Sequence, residues 1–227
     1  MKKFKLGFMV GRFQMLHKGH ESLINEGIEL CDRFVILLGN SEESRTENNP
    51  FNFEERKEMI KMIFGDKVEV YPIISIGIGY VPAWGNYIMN TIKFYCGEYP
   101  DFVLRGADDG RSEWLDKEKY NNITEYIINR NIIPFTATQV RRWLKEWYEA
   151  KEEYESQTRS IERGLAGGMF DPLNPVSSSS ISSSKLLSDK KQRMEEAYIH
   201  VCEMLSPKYT PAKLENYGGI LARGIKR

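Results

Sequence analysis

The chain has 227 residues, 41% apolar and 28% charged, with Lys+Arg 32 against Asp+Glu 32. That length accommodates one domain plus an appendage and buries a core without staples. The zero net charge gives no basic excess of the kind that holds a protein to a nucleic-acid backbone. The cysteines Cys31, Cys96 and Cys202 are scattered and form no Cys-x-x-Cys pair, which points to a reducing, cytoplasmic setting. No apolar run reaches the ~18 residues of a membrane span, and the apolar start ends at Gly11, too soon for a signal peptide. Neither nucleic acid nor membrane is therefore an expected partner, and a local basic pocket for a small anion stays open. The oligomeric state is left open, a homo-oligomer included.

In chain order, Leu6–Val10 is a short apolar run stopped by Gly11, a first strand. Gly19–Leu30 sets Leu23, Ile24, Gly27, Ile28 and Leu30 along one stripe, a helix. Arg33–Leu38 is β-branched and apolar, a second strand ending at Gly39-Asn40. Phe53–Phe64 is helical, Lys67–Ile74 a third strand, Trp84–Tyr95 a helix and Asp101–Leu104 a fourth strand. Trp114–Asn129 reads as mostly helical, Ile132–Phe135 as a last strand and Ala137–Tyr154 as a helix. Beyond it, Gly164–Gly168 is glycine-rich and Ser177–Ser184 holds seven serines in eight positions, a loop or linker by composition. Asp189–Leu205 has Met194, Ala197, Tyr198, Val201, Cys202 and Leu205 on one helical face, and a Pro- and Gly-containing tail follows. The expected organisation is a domain over 1–155, a linker over 156–188 and a helix with tail over 189–227.

Alternation of strand and helix implies an α/β fold, a Rossmann-like doubly wound parallel sheet with a C-terminal extension. Such sheets bind ligands beyond the carboxyl ends of their strands. That rule alone lines up Gly11–His20, Gly39–Phe51, Ile76–Trp84 and Arg105–Gly110 on one edge. The strongest local signal lies there: Gly11-Arg12-Phe13-Gln14-Met15-Leu16-His17-Lys18-Gly19-His20, between a strand and a helix. Its glycines let the backbone turn and approach a ligand closely. The helix start offers free N–H groups and a positive dipole end. Two of the chain's three histidines add donors suited to phosphate oxygens. Together these make an anion cradle. No third ligand stands at zinc spacing.

This segment resembles the signature of the HIGH-type nucleotidylyltransferases, and within them that of the archaeal-type nicotinamide mononucleotide adenylyltransferases. Two further segments resemble that family in the same order. One is Gly39, Ser44, Thr46, Asn49-Pro50-Phe51, Glu55-Arg56 and Met59-Ile60; the other is Phe135-Thr136-Ala137-Thr138-Gln139-Val140-Arg141-Arg142, similar to a Ser-x-Thr-x-x-Arg helix start that binds ATP phosphates. Met15 stands where the family has Pro, Asn48 where many members have Arg, with Arg45 three residues earlier, and Thr136 where it has Ser. The acidic residue and Asn that precede the family's pocket Trp are absent from Ile76–Val81, ahead of Trp84. On that resemblance Arg45 supplies the charge missing at Asn48; from the residues alone, Arg56 reads as an ion-pair partner of Glu54, Glu55 or Asp66.

The resemblance implies transfer of AMP from ATP to nicotinamide mononucleotide, with Mg²⁺ carried on ATP and no metal ligand from the protein. It implies His17, His20 and Arg141 as catalytic groups. Gly11, Arg12, Phe13, Lys18, Gly19, Thr136, Thr138, Arg141, Gly106 and Asp108 would bind ATP, and Asn40, Arg45 and Trp84 the nicotinamide nucleotide. Two other readings stay open: an ATP- or CTP-dependent nucleotidylyltransferase with another phosphorylated acceptor, and a non-catalytic nucleotide sensor.

Overall fold

The computed structural model describes residues 2–106, 114–128, 136–166 and 178–223. Its elements are β1 (Phe4–Gly11), α1 (Lys18–Leu30), β2 (Cys31–Leu38), α2 (Phe53–Phe64), a 3₁₀ turn (Gly65–Lys67), β3 (Glu69–Pro72), α3 (Pro82–Cys96), β4 (Phe102–Gly106), β5 (Thr124–Ile128), α4 (Ala137–Ala166), α5 (Ser178–Met204) and α6 (Pro211–Ala222). The five strands form one parallel sheet in the order β3-β2-β1-β4-β5. Two compact units divide the chain, the first running to Ala137 and the second from Thr138 to Gly224.

The central strands are apolar on both faces because both are covered. Along β2, successive side chains point to opposite sides. Val35 and Leu37 join Leu6, Phe8 and Val103 in a core with Ile88, Met89 and Ile92 of α3 and with Trp114. Phe34 faces the other way, against α1, where a Cβ on Gly27 would fall 2.2 Å from its ring. Gly85 plays the same part under α3. A Cβ there would lie 2.0 Å from the carbonyl oxygen of Trp114, a backbone atom that cannot swing aside. Gly85→Ala is therefore expected to destabilise the fold by about 1–3 kcal/mol, the usual cost of overpacking. Thermal melting checks it, and an unchanged midpoint would mean that α3 shifts freely.

The structure departs from the sequence expectations at two places, and a third lies outside the described residues. Residues 114–123 are not helical; they form turns that bury Trp114, Leu115 and Tyr120, and Thr124–Ile128 is the strand that pairs with β4. Thr-Glu-Tyr-Ile-Ile is a β-branched and aromatic run suited to a sheet edge, and tertiary pairing overrides the helical spacing. The strand expected at 132–135 lies outside the described residues. The expected linker over 156–188 holds helix on both sides: α4 runs on to Ala166, and α5 already starts at Ser178. Serine is only a few tenths of a kcal/mol worse than the good helix formers, so an established helix propagates through it.

Within the second unit, Val140, Leu144, Trp147 and Ala150 of α4 are buried. The Trp147 ring lies 5.4 Å from that of Tyr198 on α5. Gly218 of α6 comes so close that a Cβ would sit 2.7 Å from that of Tyr148. The boundary expected at residue 155 thus falls inside a helix whose apolar face is shared with α5 and α6. On α5, Ala197 and Val201 are buried as expected, but Cys202 is exposed.

Candidate functional site

The chain winds outward from β1 through β2 to β3, then returns to lay β4 and β5 on the other side of β1. The order reverses between β1 and β4, whose carboxyl ends are Gly11 and Gly106. That is the position at which doubly wound sheets open a ligand crevice.

The loop from Gly11 to α1 is packed, not open. Phe13, Gln14, Met15, Leu16 and His17 are all buried, while Arg12 is exposed with no ion pair among the described residues. His17 caps α1: its backbone is extended, and its Nδ1 accepts the N–H of Gly19 at 3.1 Å. In the neutral ring that hydrogen bond places the proton on Nε2. His20 stands in the first turn, its ring 3.9 Å from that of His17 and 4.8 Å from that of Phe13. Lys18 opens the helix and, like Gly19, is half-buried. The two histidines and the α1 N-terminus therefore share one small volume, as the sequence spacing predicts.

The second loop, Gly39–Asn52, is fastened to the first by two residues that sequence reasoning missed. Gln14, 3% exposed, donates from Nε2 to the Phe51 carbonyl at 2.8 Å and accepts the Phe51 N–H at 2.9 Å. Arg56 is fully buried and pairs with no carboxylate among the described residues, contrary to the expected ion pair with Glu54, Glu55 or Asp66. Its Nη1 donates to the carbonyls of Arg12 (2.8 Å) and Gly39 (2.7 Å), Nη2 to that of Asn40 (3.1 Å) and Nε to that of Asn52 (3.2 Å). Burial pushes its pKa down to about 10, against the pull of Glu42. A signal for it was present: Arg56, Met59, Ile60 and Ile63 follow helical spacing on the buried face of α2.

Asn40 has φ 50° and its side chain donates to Glu43 at 2.9 Å. Arg45 is engaged by Glu55 in a two-pronged pair at 2.6 and 2.8 Å and also donates to the Pro50 carbonyl. Burial alone would raise the Glu55 pKa; the Arg45 bond and the Asn52 N–H outweigh it and hold the carboxylate below its usual range. Arg45 therefore braces the loop against the capping box of α2, formed by Asn52 and Glu55. Trp84 starts α3 half-buried, edge-on to Trp114 at 5.3 Å and to Tyr80 at 5.0 Å. Asp108 lies outside the described residues, just past Gly106. Thr136 is the exposed residue before α4. In the second unit Arg141 Nη2 lies 3.4 Å from Thr138 Oγ1, both on the first turns of that helix. Among the described residues no group of three or more His, Cys, Asp or Glu side chains is placed to hold a metal. No described helix is long and apolar enough to cross a membrane.

The chain matches the cytidylyltransferase-like family over residues 8–186. It is 41% identical over 177 residues to the nicotinamide-nucleotide adenylyltransferase of Haloarcula marismortui, covering 71% of this chain and 93% of that one. To the enzyme of that name from Pyrococcus furiosus it is 27% identical over 172 residues, covering 70% and 87%. Its fold is like that of a bifunctional NMN adenylyltransferase/ADP ribose pyrophosphatase from Francisella tularensis, solved with AMP and a manganese ion: TM-score 0.51 and 21% identity, over 63% of this chain but only 42% of that longer one. With strand order, switch point and all three motif segments inside the matched span, the chain belongs to the cytidylyltransferase-like nucleotidyltransferases, alongside the archaeal nicotinamide-nucleotide adenylyltransferases.

Proposed function

We propose that the protein transfers AMP from ATP to nicotinamide mononucleotide, giving NAD and pyrophosphate. The observation that carries this reading is the His17–His20 pair, its rings 3.9 Å apart and tilted by 33° at the start of α1, by the sheet's switch point. It is supported by a relative of that name at 41% identity.

The acceptor's 5′-phosphate has a second pKa near ~6 and is mostly dianionic at neutral pH, so its attack on the α-phosphorus needs no general base. The new P–O bond forms as the bond from the α-phosphorus to the bridging oxygen breaks, and pyrophosphate leaves with that electron pair. What the protein contributes is position and donors where charge builds. His17 Nε2–H, the His20 ring, the α1 N–H groups, Lys18 and Arg12 are suited to this. On the resemblance alone, Thr136, Thr138 and Arg141 hold the triphosphate, Gly106 lets the nucleotide approach β4 closely and Asp108 accepts from a ribose hydroxyl. Mg²⁺ enters as MgATP, keeping waters and needing few protein ligands. Asn40 and Trp84 are assigned to the acceptor; Arg45 acts on it through the loop it braces. A cytoplasmic setting goes with this reading, supported by three free cysteines.

The test is incubation of the protein with MgATP and a panel of phosphorylated acceptors, following pyrophosphate and product mass. Nicotinamide mononucleotide should give NAD and pyrophosphate in equal amounts. Pyrophosphate with a different acceptor only would move the protein to another nucleotidylyltransferase activity, and none with any acceptor would favour a sensor.

A further inference from the structure

Arg56 sits beneath the two loops and touches no ligand edge, yet its bonds fall on particular peptides. Nη1 holds the carbonyls of Arg12 and Gly39, so the Arg12–Phe13 and Gly39–Asn40 peptides lie side by side at the ends of the paired strands β1 and β2. The residues that follow those carbonyls, Phe13 and Asn40, have φ of 49° and 50°. This left-handed region costs a non-glycine residue on the order of 1 kcal/mol or more, most for a bulky one such as Phe. Both peptides are trans, and in a trans peptide the N–H points opposite to the C=O. With both carbonyls turned onto the buried guanidinium, both N–H groups point away from it. Among the described residues neither N–H has an acceptor, although Phe13 is only 2% exposed. Buried backbone donors without partners are rare, and adjacent outward N–H groups form an anion-binding concavity.

We infer that Arg56 is a positioning residue: by pulling the Arg12 and Gly39 carbonyls inward, it presents the Phe13 and Asn40 N–H groups as a paired donor set for a substrate phosphate. The inference rests on the adenylyl-transfer reading for which substrate that is, but not for the donor set itself. It also gives the backbone strain at Phe13 and Asn40 a function, since relaxing either residue would turn a donor away.

The test uses the full chain, ¹⁵N-labelled and titrated with pyrophosphate, with the Phe13 and Asn40 amide resonances followed. In the unmodified protein both should move together along one saturation curve. In Arg56→Lys, which keeps the charge but loses the fork that spans two carbonyls, pyrophosphate binding should weaken ten-fold or more. The two amides should then stop tracking the ligand while circular dichroism stays native. Arg56→Gln is the second variant, should the first fail to fold. Amides that stand still while the unmodified protein binds pyrophosphate would overturn the inference; so would absence of pyrophosphate binding, or a folded variant that binds as tightly as the unmodified chain. A protein that makes no NAD but whose two amides follow pyrophosphate would sink the acceptor assignment and leave the donor set standing.

Discussion

His20→Ala is expected to lower kcat by about 10²–10³, roughly 2.7–4 kcal/mol, the usual cost of removing one donor from a site of developing negative charge. The ring is held in place by Phe13 on one side and His17 on the other, at 4.8 and 3.9 Å, beside the N-terminus of α1. Charge on the α-phosphate and the departing pyrophosphate grows only as the bond breaks, so the loss should fall on turnover and leave ATP affinity nearly intact. His17→Ala should differ in kind, because His17 is also the cap of α1. It should lose turnover together with about 1 kcal/mol of stability, as removal of a helix cap does. Steady-state kinetics beside thermal melts separate the two. Near-normal turnover in a folded His20→Ala protein would remove His20 from the site.

Arg56→Leu should be the most damaging substitution for stability in the first unit. Leucine removes the cost of burying a guanidinium, a cost visible in a pKa pushed down to about 10. It leaves behind the backbone carbonyls of Arg12 and Gly39, which cannot be mutated away, while that of Asn40 keeps the Glu43 N–H. Each buried acceptor stripped of its partner costs about 1–3 kcal/mol, so a net loss of about 3 kcal/mol is expected. For a domain of this size that lowers Tm by about 6–12 °C. An unchanged Tm would show that water replaces the guanidinium without penalty.

The alternation of strands and helices was legible because each central element carries its period plainly. Leu6–Val10 and, after Arg33, Phe34–Leu38 are unbroken apolar runs, as strands covered on both faces are, and the α2 residues expected at 53–64 are the ones observed. The meeting of His17, His20 and the start of α1 was legible because these parts are contiguous in sequence. Gln14 and Arg56 were not, since their partners are backbone groups, 37 residues away for Gln14 and 4 to 44 for Arg56, which no side-chain pattern encodes. The Arg45 pair was not legible for a related reason: its partner, Glu55, sits on the next helix as part of a capping box. The serine run misled through composition, because the helix there is extended from residues that follow it. Thr124–Ile128 shows the limit of periodicity: an edge strand five residues long, buried on neither face along its length, has too short a pattern to separate from a helix.

The central claim is that an intact AMP unit moves from ATP to a phosphate acceptor. The most direct measurement uses ATP labelled at the α-phosphorus, with unlabelled nicotinamide mononucleotide and Mg²⁺. The label should appear in a dinucleotide with the mass of NAD, one equivalent for each unlabelled pyrophosphate released. Label recovered as free AMP, or remaining in ATP or ADP while the acceptor is consumed, would contradict it.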